Sequence, residues 1–399
     1  MITQEENERL TQVGAGTPGG ELLRRYWHPV AASADIEREP VIPVRVFGEN
    51  LVLYRSGKGE LGLIQERCPH RSASLAYGIP DDDGLHCPYH GWHFNNKGQC
   101  IGIPYDDADG GSGMKDHIRI ASYPVQELGG LVFAYLGPEP APLLPRWDLL
   151  VDEDKVRQIE ITVLPCNWLQ CQENSLDPVH FEWLHAQQSN FVASKAGLPP
   201  VMNPLRHLKI AFDQFEYGIM KRRLLEGADP ETSPDWNIGH PILFPNMLAG
   251  GGFQIRVPID DTHTLHFLYS VRDRKDGEPI QEKVPAYNLG YENEDGRLAV
   301  QKVVVQDFSA WIQQGAVAPR TLENLAKSDR GIFMFRQWLL ENMEKVERGE
   351  DPGGLIRDPT LNERIEIPGT GSDRLNSVRL MSAPELEAIL AKAKQSSPV

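Results

Sequence analysis

Short apolar runs broken by turn residues fill the chain from Val41 to Leu136. Val44-Arg45-Val46-Phe47 and Leu51-Val52-Leu53-Tyr54 flank Gly48-Glu49-Asn50. Ser56-Gly57-Lys58-Gly59 leads into Leu61-Gly62-Leu63-Ile64, and Asn95-Asn96-Lys97-Gly98 closes another hairpin. Ahead of this β-patterned region, Thr3 stands three residues before Glu6, a capping box that starts a short helix. A Gly-rich turn follows, then an apolar-aromatic segment expected to be a helix ending near Trp27-His28-Pro29. Four prolines between Pro138 and Pro145 predict a stiff linker. From Arg146 onward, strand-like runs such as Phe253 to Val257 and Thr264 to Ser270 alternate with helical ones. Arg272 to Gly296 is polar and spotted with Gly and Pro, which predicts a long surface loop or lid. Ser382-Ala383-Pro384-Glu385 predicts the start of a short amphipathic helix. No internal repeat is visible.

The 399 residues suffice for two domains, and 40% hydrophobic with 24% charged residues is ordinary for a globular chain. No run approaches the roughly 20 apolar residues of a membrane span, and the N-terminus lacks the layout of a signal peptide, so the expected location is the cytoplasm. The net charge of −16 disfavours nucleic acid or an anionic membrane as partner. It suits docking of a small carrier protein, and it requires that any acidic substrate find a local basic pocket.

Two loops carry the first candidate chemistry. Cys68-Pro69-His70-Arg71 is followed by Cys87-Pro88-Tyr89-His90, so each offers one thiolate and one imidazole. Cys68, Cys87, His70 and His90 suit a Rieske [2Fe–2S] cluster, in which two Cys hold one iron and two His the other. Neutral imidazoles in place of thiolates raise the potential and make the cluster a one-electron relay. Tetrahedral Cys₂His₂ zinc is the competing reading. Against it, zinc fingers pair like with like, whereas here each loop mixes the two, with Pro after each Cys.

With those residues in view, the chain resembles the oxygenase (α) subunits of Rieske non-haem iron oxygenases, over most of its length from Asn7 to about Arg336. Gly14, Gly16-Thr17-Pro18 and Leu23-Arg24-Arg25-Tyr26-Trp27 look most like the phthalate-dioxygenase type. The resemblance implies an α+β fold. It comprises a helical N-terminal segment over 1–40, a small all-β Rieske domain over 41–137, and a larger catalytic domain over 138–399 with an antiparallel sheet flanked by helices.

A relay needs something to reduce. Asp177-Pro178-Val179-His180-Phe181-Glu182-Trp183-Leu184-His185 offers two imidazoles that, with one carboxylate, would form the facial triad of Fe(II) oxygenases. In an ideal α-helix residues five apart lie about 140° apart, so both can reach one metal only if the helix is bulged or broken. Taken alone, paired histidines in such a segment are often chance or core-polar residues. By resemblance, His180 and His185 look like the mononuclear iron ligands, and Asp177 like the bridging carboxylate bonded to an iron-ligand His and to a cluster His of the neighbouring subunit. The third ligand is expected at Asp307, after Val303-Val304-Val305-Gln306; a plain helix N-cap, or ligation by Glu323 or Asp329, competes. O2 is the implied co-substrate, an aromatic acid the substrate, and a separate reductase or ferredoxin the electron source. A homotrimer or stacked hexamer is the implied assembly.

Other features point nowhere specific. Gly14 to Gly19 matches G-x-G-x-x-G without a preceding strand, so no nicotinamide or flavin site is expected. Asn174 reads as a site residue or a cap. His207, His240, His263 and His266 read as ordinary hydrogen-bonded histidines, and Cys100, Cys166 and Cys171 as buried free thiols. Lys221, Arg222, Arg223 and Arg256 could hold a substrate carboxylate, although solvated charges or ion pairs are the default. Gly239 to Asn246 and the Asn174-to-Asp177 spacing look similar to O-demethylases of lignin-derived aromatics. That favours O-demethylation over ring dihydroxylation of a phthalate-like acid. A Rieske electron carrier without oxygen chemistry is the rival of another class, and some 250 residues beyond the β module argue against it.

Overall fold

A computed structural model describes residues 2–293, 295–300, 302–370 and 380; the helix expected at Ser382-Ala383-Pro384-Glu385 lies outside them. The described residues build four sheets. Two small ones carry the cluster loops. Val41–Val46, Glu49–Arg55, Leu61–Gln65 and Ser122–Tyr123 form one, and Ile79–Asp81, Gly84–His86, His93–Phe94 and Cys100–Gly102 form the other. Between them lies a compact core of Val52, Tyr54, Ile64, Leu85, Phe94 and both candidate cluster cysteines. Apolar alternation along the strands supplies one buried face each.

The expected capping box is present: the Thr3 hydroxyl accepts from the Glu6 N–H at 3.1 Å, and the Glu6 carboxylate accepts from the Thr3 N–H at 2.7 Å. The apolar-aromatic segment departs from expectation. Its helix covers only Pro18–Leu23, and Trp27–Ala32 is a strand paired with Leu131–Tyr135. All six of its residues are buried, so continuous apolarity here reflects a strand covered on both faces rather than a helix stripe. The region from Arg272 also differs: Ala286–Asn288 joins the large sheet in parallel with Ile159–Ile161, and Ala286 and Tyr287 are buried.

That large sheet has eight strands, in the order His207–Phe215, Gly218–Leu225, His240–Leu243, Met247–Ala249, Gly252–Asp260, His263–Asp273, Lys155–Leu164, Ala286–Asn288. All pairings but the last are antiparallel. Phe253, Ile255 and Val257 point into the main core. The intervening residues face the helices Trp168–Ser175 and Val303–Gln313; Arg256 lies over the Trp311 ring at 5.5 Å. Among the described residues no helix is long and apolar enough to cross a membrane.

Candidate metal centres and the pocket floor

The two cluster loops are built alike. In each, the Cys N–H donates to the carbonyl five residues on, Ala73 at 2.9 Å and Trp92 at 2.8 Å. The residue four on returns its N–H to the Cys carbonyl, Ser72 and Gly91 both at 2.9 Å. At that position the backbone is left-handed, φ +58° at Ser72 and +73° at Gly91, a strain that non-Gly residues accept mainly at functional sites. The result is an asymmetric pair of ends. Cys68 and Cys87 are buried and in mutual hydrogen-bond contact, while His70 and His90 are exposed, with ring centroids 4.5 Å apart. Trp92 stacks on His70 at 4.6 Å and 3°. Burial pushes the Cys68 thiol up to about 11, so a thiolate there calls for a bound cation. Among the described residues these four do not bring three ligand atoms within 4.8 Å of one another. Tetrahedral zinc, at about 2.0–2.3 Å from every donor, would draw all four within about 4 Å. A Cys pair and a His pair fit two irons better than one zinc.

The second site starts where a helix fails. Asn167 caps Trp168–Ser175 by accepting from the Leu169 N–H at 3.0 Å; Asn174 sits in the last turn of that helix and caps nothing. Pro178 cannot extend it. The Asp177 carboxylate instead accepts from the N–H groups of Val179 at 2.9 Å and His180 at 3.4 Å, starting a new turn. Phe181–Gln187 is then a π-helix, whose i→i+5 bonding stacks residues five apart. This is the irregularity the five-residue spacing demands, and it brings His180 and His185 to ring centroids 5.2 Å apart at 75°.

Asp307, inside the helix Val303–Gln313, meets them: its Oδ1 lies 3.2 Å from His185 Nε2 and 3.7 Å from His180 Nε2. Both imidazoles are anchored at the other nitrogen. His180 Nδ1 hydrogen-bonds the Asp177 backbone carbonyl. His185 Nδ1 meets Gln306 Oε1 at 2.9 Å, because Gln306 Nε2 already donates to Ser189 Oγ and Val300 O. Carbonyl oxygens only accept, so each Nδ1 carries the proton and each Nε2 turns a lone pair toward Asp307. Asp307 Oδ1 is buried and has no hydrogen-bond partner. Two imidazole nitrogens and a buried carboxylate oxygen without a hydrogen-bond partner make a two-His, one-carboxylate donor set, which fits Fe(II). Burial pulls His180 down to about 4. Burial also lowers His185, but the closer Asp307 carboxylate outweighs it and leaves His185 above its ordinary value.

The rival ligands are engaged elsewhere: Glu323 pairs with Arg336, and Asp329 accepts from the Ala326 N–H. The N-cap of the Asp307 helix is Lys302. The Asp177 carboxylate lies 3.9 Å from His180 Nδ1 through Oδ2, so its carbonyl, not its carboxylate, holds the imidazole in this chain. His207 pairs with Glu182 and His263 with Asp260, as ordinary histidines do. His266 does not: its Nε2 is buried without a partner, edge-on to Phe308. Cys100, Cys166 and Cys171 are buried free thiols. Arg222 pairs with Asp213, and Arg223 pairs with Asp235 and lies over the Phe181 ring at 4.8 Å. Arg256, fully buried, donates to Gln172 at 3.1 Å and Gln254 at 2.6 Å. Gln306 carried no motif signal, since an amide next to a ligand has no characteristic spacing. A second His/His/Asp group, Asp81, His86 and His93, lies on the β module.

Residues 26–124 match the Rieske [2Fe-2S] domain family. The chain is 46% identical over 392 residues to the 5,5'-dehydrodivanillate O-demethylase oxygenase subunit of Sphingobium sp. (strain NBRC 103272 / SYK-6), covering 97% of this chain and 91% of the relative. It is 35% identical to phenoxybenzoate dioxygenase subunit alpha of Ectopseudomonas oleovorans, covering 87% of each. Among solved structures, Pseudomonas putida CBB5 NdmA with caffeine aligns at TM-score 0.61 and 21% identity, over 82% of this chain and 93% of that one. At that identity the likeness speaks to fold.

Proposed function

The chain belongs to the Rieske non-haem iron oxygenases, as an oxygenase subunit of the type that includes aromatic O-demethylases, and from that premise we propose that it O-demethylates a methoxylated, lignin-derived biaryl acid. The bare, buried Asp307 oxygen facing two oriented imidazoles supports the oxygenase chemistry; the 46% identity to a dehydrodivanillate O-demethylase subunit supports the substrate class. Each turnover would take O2, a pair of electrons and a pair of protons, and release a phenol, formaldehyde and water.

His180, His185 and Asp307 would hold the mononuclear iron, and Cys68, His70, Cys87 and His90 the cluster. When bound, the iron would supply the O2 chemistry and the cluster the single electrons. The chain's own residues orient and insulate. The Asp177 carbonyl and Gln306 keep both ligand imidazoles in the Nε2 lone-pair tautomer, and the π-helix holds their planes steeply inclined. Exposed His70 and His90 would present the cluster edge outward, and the half-exposed Asp177 carboxylate would receive it in a neighbouring subunit of a homotrimer or stacked hexamer. A separate reductase or ferredoxin would supply electrons in the cytoplasm. We keep 1–40, 41–137 and 138–399 as the working units. A specific observation favours a second reading, ring dihydroxylation: dioxygenase subunits stand among the relatives at 35% and 30% identity.

The test is turnover with a generic reductase against methoxylated and non-methoxylated aromatic acids, assaying formaldehyde. Formaldehyde from 5,5'-dehydrodivanillate supports demethylation. A dihydrodiol from phthalate, without formaldehyde from any methoxylated acid, sinks it in favour of the alternative.

A further inference from the structure

Lys221 is 5% exposed in the strand Gly218–Leu225. Holding a cation in so buried a side chain costs several kcal/mol unless something compensates. Its place in the sheet shows what could. Lys221 is directly opposite His240; Ile242, on the same face two residues on, is opposite Leu248, and Leu248 is opposite Gln254. Directly opposed residues share a face, so Lys221, His240, Gln254 and Arg256 form one floor. Arg223, two residues along the same face, packs on Phe181, the neighbour of His180. The charges of Asp177 and Asp307 both act on the ammonium. Beyond His240 the floor opens into a cavity of about 320 Å³, lined by Glu160, Gly250, Gly251, Gly252 and Gln254. There the glycines leave backbone where side chains would fill the space.

From this geometry we infer that Lys221 is the anion anchor of the pocket, receiving a carboxylate of the aromatic substrate while the ring extends over the glycine floor. The inference rests on the oxygenase reading above and sharpens its substrate class. It also answers how a chain of net charge −16 admits an acid: an iron(II) ion at Asp307 would offset one of the two carboxylate charges that act on Lys221, leaving Lys221 and the buried Arg256 to set a local positive field. Burial, and then Arg223, hold Lys221 down to about 7, consistent with an ammonium that gains most from an arriving anion.

The experiment measures anaerobic binding by equilibrium dialysis to the iron-loaded protein and its Lys221→Met and Lys221→Arg variants. Two pairs of probes are used: 5,5'-dehydrodivanillate with its dimethyl ester, and 3-methoxybenzoate with 3-methoxybenzamide. The expected result is that Lys221→Met weakens the acids about 10- to 100-fold, leaves the neutral partners within about twofold, and is partly rescued by Lys221→Arg. Lys221→Met should also raise the melting temperature of the ligand-free protein, because it removes a charge from a buried side chain. Equal weakening of acid and neutral probes, or a lowered melting temperature with no change in the acid-to-neutral ratio, overturns the anchor. If dehydrodivanillate fails to bind while 3-methoxybenzoate binds in a Lys221-dependent way, the biaryl substrate reading falls and the anchor stands.

Discussion

Asp81, His86 and His93 on the β module have the same composition as His180, His185 and Asp307, and each set brings its ligand atoms within 4.8 Å. In the first, the imidazoles are stacked 3.9 Å apart at 21°; in the second they stand 5.2 Å apart at 75°. A metal lies in the plane of every imidazole that binds it. Planes 3.9 Å apart and inclined 21° meet only on the order of 10 Å away, far beyond a metal–nitrogen bond of about 2.1 Å. The carboxylates differ too. Asp81 is exposed and already meets His86 Nε2 at 3.1 Å, whereas Asp307 Oδ1 is buried and unpartnered. Residue type makes both candidates; ring orientation and an unsatisfied buried oxygen select one.

The largest expected effect breaks the comparison outright. Asp307→Ala or His180→Ala should lower iron from about three per chain to about two, keep the reddish-brown absorption and abolish oxygenation. His93→Phe should leave about three irons. A metal lost from His93→Phe, with Asp307→Ala unchanged, would reverse the assignment.

Acid separates the regions next, because burial and not composition sets how an imidazole titrates. His180 in the metal-free chain and His28 in the core are both pulled down to about 4 by burial, from 6.5. A folded-state value below the unfolded one means stability that is present above about pH 6.5 and lost as pH falls toward 4. For His28, which donates to the Leu23 carbonyl and is fully buried, the loss approaches ~3 kcal/mol. Urea titrations of metal-free protein at pH 7.5, 5.5 and 4.5 should show proton uptake on unfolding across that window. A flat profile would mean these imidazoles are not buried as described.

A smaller effect tests orientation alone. Gln306→Leu removes the acceptor that fixes His185 without touching a ligand, and should weaken Fe(II) binding about 10- to 100-fold, read by chelator competition. Unaltered affinity would mean that the π-helix by itself orients the ring.

How much of this was legible in sequence follows the same division between composition and geometry. The four cluster residues were visible because two short loops repeat the same Cys-Pro-x-His or Cys-Pro-His pattern, and the His180–His185 pair because it lies within one short segment whose five-residue spacing demanded a distorted helix. Asp307 was visible only as one of several carboxylates, since a lone residue more than a hundred positions away has no spacing to read. The helix expected to end near Trp27-His28-Pro29 overran the start of the Trp27–Ala32 strand because that strand's partner, Leu131–Tyr135, lies a hundred residues downstream and local pattern is blind to it. The floor could be read only in part: Lys221, Arg222, Arg223 and Arg256 stood out as possible carboxylate partners, with nothing to say which of them share a face. Lys221 sits in a basic run with Arg222 and Arg223, and only the register shows that it turns toward the pocket while Arg222 pairs with Asp213. The second His/His/Asp group teaches the converse, that sequence and proximity together can nominate a site which ring planes then rule out.

The smallest predicted effect is also the sharpest check on that last point. Asp81→Asn removes the charge facing His86, whose Nδ1 is tied to the Gly91 carbonyl at 3.0 Å. Gly91 closes the Cys87 loop, so a real metal at this group would stiffen the loop, place positive charge one residue from a cluster ligand and tune its potential. An empty, solvated pair would do neither, because exposed ion pairs contribute little. Asp81→Asn should therefore leave the melting temperature within about 1–2 °C, the iron content unchanged and the cluster midpoint potential unmoved by added Zn²⁺. A wild-type potential that rises with Zn²⁺ and stops rising in Asp81→Asn would show that the stacked rings can turn to share an ion. Ring orientation would then no longer separate the two groups.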